Sequence, residues 1–143
     1  MDIVFLSKEQ VERIHAETLP QSGNANDGLL EGALNRVRTL HYYEGVDDIH
    51  ALAAMYLIGI AKAHAFHDGN KRTAFQAASI FLMMNSSELS NSLLLVKLTV
   101  FSAMGIATLE EVTFALKLLS DFGNELISDY EEDYIYCWHT LSC

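Results

Sequence analysis

The sequence predicts an all-α single-domain fold, a bundle of about six helices around a central buried helix, with an acidic C-terminal tail. Three observations predict it. Apolar residues recur at the 3.6-residue spacing of a helix face, side chains that open helices recur just ahead of those stripes, and no sustained run alternates as a strand would. With 143 residues, half of them hydrophobic, the chain suits one core, because domains cluster near about 100 to 150 residues. We assign residues 1–122 to the domain and 123–143 to the extension.

Each element follows in order. Ile3 to Leu6 is a short extended start. Ser7, with Gln10 three residues on, forms a capping box that opens a helix through about Glu17, and Val11 and Ile14 form its inner stripe. Pro20 and the run QSGNANDG break the chain. Asp27 is expected to cap a short helix, GLLEGALNRVR, whose Leu29, Leu30, Ala33, Leu34 and Val37 share a face. HYYEGVDD reads as a loop, and Asp47 or Asp48 caps a helix to about Ala63 that is apolar nearly all round, the property of a central helix. A further helix is expected from Asn70 through Met84, packing through Ala74, Phe75, Ala77, Ala78, Ile80, Phe81 and Leu82. Ser90 or Asn91 is read as the cap of a fifth helix ending near Gly105. Thr108 with Glu111 makes a second capping box before Val112, Ala115, Leu116 and Leu119.

Charge and composition narrow the partners. A net charge of −10 repels nucleic-acid phosphates and anionic lipid, so no direct nucleic-acid binding is expected. Residues 121 to 143 carry six of the acids and no Lys or Arg. Tyr130, Tyr134, Tyr136 and Trp138 there suit either packing on the body or binding a partner. Cys137, His139 and Cys143 fit no standard zinc spacing and supply three ligands where a closed site needs four. The start lacks a basic region and a long apolar run, and the stretch from Ile49 to Ala63 falls short of the roughly 20 residues that span a membrane. A cytoplasmic location, with no membrane partner, is the expectation.

Chemistry concentrates in HAFHDGNKRTA, His64 to Ala74. Gly69 permits a tight turn, and Asn70 then opens a helix whose free N–H groups and dipole attract anions. Lys71 and Arg72 add two cations where the helix dipole disfavours them, which suits an anionic ligand. Asp68 offers a hard oxygen for Mg2+, the ion that accompanies nucleotide phosphates. His64, at the end of the preceding helix, suits proton abstraction from a hydroxyl, and Phe66 would anchor the loop in the core. His67 reads as a solvated loop residue.

The segment resembles the pattern H-x-F-x-[D/E]-[G/A]-N-[G/K]-R of the Fic and death-on-curing proteins, most closely the death-on-curing branch. The resemblance extends over roughly residues 3 to 119, through NDGLLEGAL, the YYEG loop, ALAAMYLIGIAKAHAF and AASIFLMMN. It implies a small all-α toxin held inactive by a cognate antitoxin and using ATP with Mg2+. The implied roles are His64 as general base, Asp68 at the metal, and Gly69, Asn70, Lys71 and Arg72 at the phosphates.

Two departures from the AMP-transferring branch matter: Lys71 replaces its usual Gly, and Phe75 stands where a second Arg is usual. In the death-on-curing branch such a lysine goes with a reversed nucleotide, which implies a kinase acting on a protein hydroxyl, the family target being elongation factor Tu, with inhibition of translation. Asn26 replaces an Arg common before Asp27, and these two residues mark the loop implied in target docking. The self-inhibitory pattern [S/T]-x-x-x-E-[G/N] has its nearest candidate at Thr39 to Glu44-Gly45, one residue too long, so inhibition is expected from a separate antitoxin. Three alternatives stand beside the kinase: a Fic-type AMP-transferase, a non-catalytic binding module, and a metal-dependent phosphohydrolase using His67 and Asp68 with a distant His50 and Asp121.

Overall fold

A computed structural model describes residues 2–19, 23, 25–89 and 93–127, with side chains through Ser120 apart from that of Leu93. The described residues form six helices and no strand: α1 (Lys8–Thr18), α2 (Asp27–Tyr42), α3 (Ile49–Ala63), α4 (Asn70–Met84), α5 (Leu93–Ala103) and α6 (Leu109–Ile127). The all-α expectation holds. α3 is the central helix, packed against α2, α4, α5 and α6, with Leu52, Ala53, Ala54, Tyr56, Leu57, Ile60 and Ala61 all sealed from solvent. Its apolar composition on every side is what allows burial on every side.

Local chemistry sets the helix ends. Ser7 and Gln10 make the reciprocal capping box of α1, and Thr108 and Glu111 make that of α6. Asp48, not Asp47, caps α3 by accepting from the His50 amide. α2 differs from expectation at both ends. Its cap is Asn26, which accepts from the Leu29 amide, so Asp27 is already the first helical residue. It also continues past Arg38 to Tyr42, because Leu40 extends the buried stripe of Leu30, Ala33, Leu34 and Val37 by another turn. The proposed caps of α5, Ser90 and Asn91, lie outside the described residues, as do Cys137, His139, Cys143 and the tail aromatics. α6 runs through Ile127, past the boundary placed at residue 122.

Long-range polar contacts fix the packing. The extended start is held by Asn85, whose amide bonds both the N–H and the C=O of Val4 at 2.9 Å, as a neighbouring strand would. The Tyr56 hydroxyl, buried on α3, accepts from the Leu6 amide at 2.9 Å. Asp48 also pairs with Lys117 of α6, and the His50 ring lies 3.2 Å from the Ser120 hydroxyl, so α3 and α6 are joined at the start of α3. Gly59 lets α2 come close: a Cβ there would stand 3.4 Å from the Ala33 carbonyl.

Candidate active site

The segment 64–72 joins the two most buried helices of the bundle, and each of its residues has a defined place. His64 ends α3 in the left-handed region, φ 51° and ψ 39°, a common way to terminate a helix. Its side chain is exposed and makes no hydrogen bond among the described residues. Phe66 turns inward, 4% exposed, and stacks on His15 of α1 with ring centroids 3.8 Å apart. His67 is exposed, as read from sequence.

Asn70 closes the loop on itself. Its Oδ1 accepts from the Phe66 N–H at 3.1 Å and its Nδ2 donates to the Phe66 carbonyl at 2.9 Å, so both ends of the side-chain amide are committed to holding the turn. A phosphate contact from Asn70 can then come from its backbone N–H or from the second N–H of Nδ2, which these two bonds do not use. Gly69 adopts φ 77°, which explains glycine in part. A second reason lies in the packing: a Cβ there would collide with Leu19 Cδ1 and stand against the His15 ring. The Gly69 N–H donates to Asp68 Oδ1 at 3.0 Å.

The start of α4 is unlike the other described helix starts. α1, α2, α3 and α6 are each capped by a side chain, Ser7, Asn26, Asp48 and Thr108. α4 is capped by Gly69, which has none. Its first-turn N–H groups lack the usual side-chain acceptor, and two cations, Lys71 and Arg72, sit half-buried in that same turn. Helix dipole and side-chain charge are both positive there, an arrangement that an anion relieves. Phe75, one turn on, is buried in the core and brings no cation to this end.

Of the two residues assigned to target docking, only Asn26 reaches the turn. Its N–H donates to the Ala65 carbonyl at 2.6 Å, next to His64, whereas the exposed Asp27 carboxylate lies 3.8 Å from Lys8. The phosphohydrolase arrangement does not assemble. His50 is at the opposite end of α3, about 20 Å away along a 15-residue helix, bonded toward Ser120 and Ser87. Among the described residues no three His, Cys, Asp or Glu side chains group as metal ligands. A cleft of about 570 Å³ also lies at that far end, beside His41 and Asp47, but the helix start it borders is already capped by Asp48, so cleft size does not mark the chemistry.

Sequence reasoning missed His15. It is 2% exposed on α1, its Nε2 is 2.8 Å from the Asp68 carbonyl, and its ring covers Phe66. The available signal was a titratable residue beside Ile14 on the apolar stripe of a helix, where histidine is uncommon without a partner.

Comparison with known proteins finds relatives of the chain. The chain is 31% identical over 118 residues to the protein kinase doc of Escherichia phage P1, a match covering 80% of this chain and 94% of that one. It is 44% identical over 66 residues to the toxin Doc of Mycolicibacterium smegmatis, covering 44% of this chain and 49% of that one. No described helix is long and apolar enough to cross a membrane. The Fic/DOC family signature matches residues 5–82, the stretch from the extended start through α4 that builds the turn, and the chain belongs to the Fic/DOC family.

Proposed function

We propose that this chain is a death-on-curing-type toxin that phosphorylates a hydroxyl of a protein target, using ATP and Mg2+, and that a translation factor such as elongation factor Tu is the target. The observation that carries the proposal is the α3–α4 turn: an exposed His64 with no hydrogen bond among the described residues, next to a helix start with no side-chain cap and two cations. The relatives' names, a kinase and a toxin, support the same reading.

The residues present fit the nucleotide and its ion. Asp68 is a half-buried carboxylate at the turn, and a single carboxylate beside phosphates suits Mg2+, which is usually held by one or two carboxylates plus substrate phosphates. Bound ATP with Mg2+ supplies the transferable phosphate and neutralises developing charge. The backbone N–H groups of the first α4 turn, with Lys71 and Arg72, hold phosphate oxygens. His64 takes the proton of the target hydroxyl as that oxygen attacks phosphorus and the bond to the nucleoside diphosphate breaks. The absence of a cation at Phe75, buried in the core, favours phosphate over AMP transfer. In the cytoplasm a cognate antitoxin keeps the toxin silent.

The test is incubation of the protein with a bacterial lysate and ATP labelled at either the γ- or the α-phosphate. Label on protein from the γ position is expected, and label from the α position alone overturns the kinase reading in favour of AMP transfer. General-base help is worth about 10²- to 10⁴-fold, so His64→Ala should lower transfer by that factor with the thermal midpoint unchanged. Full transfer by that variant removes His64 from the mechanism.

A further inference from the structure

We propose that His15, outside the signature segment, is the positioning residue that fixes the Asp68–Gly69 peptide and thereby orients the phosphate-binding turn for transfer. The inference rests on the transfer reading above.

The physical problem is a loose peptide in a place that needs a rigid one. Gly69 lies at φ 77° in a region glycine enters and leaves with little resistance, so nothing intrinsic to the chain opposes rotation of the Asp68–Gly69 peptide. Rotation would redirect the Asp68 carbonyl and the Gly69 N–H and break the bond that the N–H gives the Asp68 carboxylate. Two hydrogen bonds oppose it, one at each side of the peptide. Gly69 N–H donates to Asp68 Oδ1 at 3.0 Å, but that carboxylate is half-buried and is the group assigned to the cation. His15 bonds the Asp68 carbonyl at 2.8 Å from a position only 2% exposed, where water does not compete.

A carbonyl oxygen only accepts, so Nε2 of His15 carries the proton and donates. The same ring lies nearly parallel to Phe66, with an interplanar angle of 13°, and its Cδ2 stands 3.6 Å from where a Gly69 Cβ would be. One side chain thus touches three of the turn's positions, 66, 68 and 69. Thr18, one turn on in α1, bonds Gln76 of α4 at 2.8 Å, so the helix that carries His15 is itself tied to the helix the turn opens.

His15→Phe and His15→Gln separate positioning from filling space. Phe keeps a flat ring on Phe66 but cannot donate, and Gln keeps a planar N–H donor at similar reach. The readouts are kcat and KM for ATP in γ-label transfer, the thermal midpoint, and amide hydrogen exchange across residues 64–70. Misplacement by about 1 Å lowers rate by about 10²-fold, so the Phe variant should lose roughly that much, mainly in kcat, while the Gln variant stays within about tenfold of the parent. Faster exchange confined to the turn in the Phe variant is expected as well. Parental kcat and exchange in the Phe variant overturn the proposal, as does equal loss in both variants in step with their thermal midpoints. Should the Phe variant not fold, a Gln variant with a fast-exchanging turn overturns it and one with a protected turn supports it. A parent protein that transfers no label refutes the transfer reading alone, and exchange still decides whether His15 holds the turn.

Discussion

Replacing Asn70 by Asp exchanges one NH2 for an oxygen at the first residue of α4, and two effects then oppose each other. A carboxylate in the first turn gains about 0.3 to 1 kcal/mol from the helix dipole. Against it, the Nδ2 donor to the Phe66 carbonyl is lost, and an anionic oxygen faces that carbonyl across what was a 2.9 Å bond. An acceptor left buried without its donor loses about 1 to 3 kcal/mol, and Phe66 is 4% exposed. The loss wins, and Asn70→Asp is expected to destabilise by about 1 to 2 kcal/mol even though Asp is favoured at helix starts. The sign has a pH signature. A protonated carboxyl can donate to the Phe66 carbonyl, so the folded state holds the proton more tightly than the unfolded state, and the deficit is largest at neutral pH and shrinks toward about pH 4. Urea unfolding followed by circular dichroism at both pH values measures it. A variant as stable as the parent at neutral pH would refute the account of Asn70 as the clamp of the turn.

Three other outcomes follow from the same structure. Tyr56→Phe removes the acceptor of the buried Leu6 N–H and should lower stability by about 1 to 3 kcal/mol in urea unfolding, with faster exchange of the Leu6 amide. Burial pushes the Tyr56 phenol up to about 12, so its stabilisation is complete below the ordinary phenol value near 10 and is lost from there upward. In an absorbance titration, Tyr56 should ionise after exposed tyrosines. Burial raises the Asp48 carboxyl, but the hydrogen bond from Lys117, the His50 amide and the nearby positive charge outweigh it and hold the group below its ordinary value. Its contribution is therefore present above about pH 4 and lost as pH falls further, so Asp48→Asn, which keeps a capping oxygen, should lose under about 1 kcal/mol at neutral pH and converge on the parent in acid. Gly69→Ala meets a left-handed backbone worth about 1 to 2 kcal/mol, plus contact with Leu19; pairing it with Leu19→Ala should recover the contact part alone, and strict additivity of the two changes in urea unfolding would remove Leu19 from the explanation.

By itself the sequence determined what local rules control. The α1 and α6 starts follow from Ser7–Gln10 and Thr108–Glu111, since a capping box is made within four residues, and the bounds of α4 follow from a glycine before an apolar stripe. The central place of α3 follows from composition, because a helix apolar on every side has nowhere else to go. The residues of the turn were legible for the same reason, lying together between His64 and Arg72. What depended on partners distant in sequence was not. Asn26 displaced Asp27 as cap while its N–H bonded Ala65, 39 positions on. His15 meets Asp68 across 53 positions, and Gly69 is glycine partly because Leu19 lies against it. Local spacing fixes which backbone groups a helix end leaves open; only tertiary packing decides which side chain from elsewhere fills or braces them.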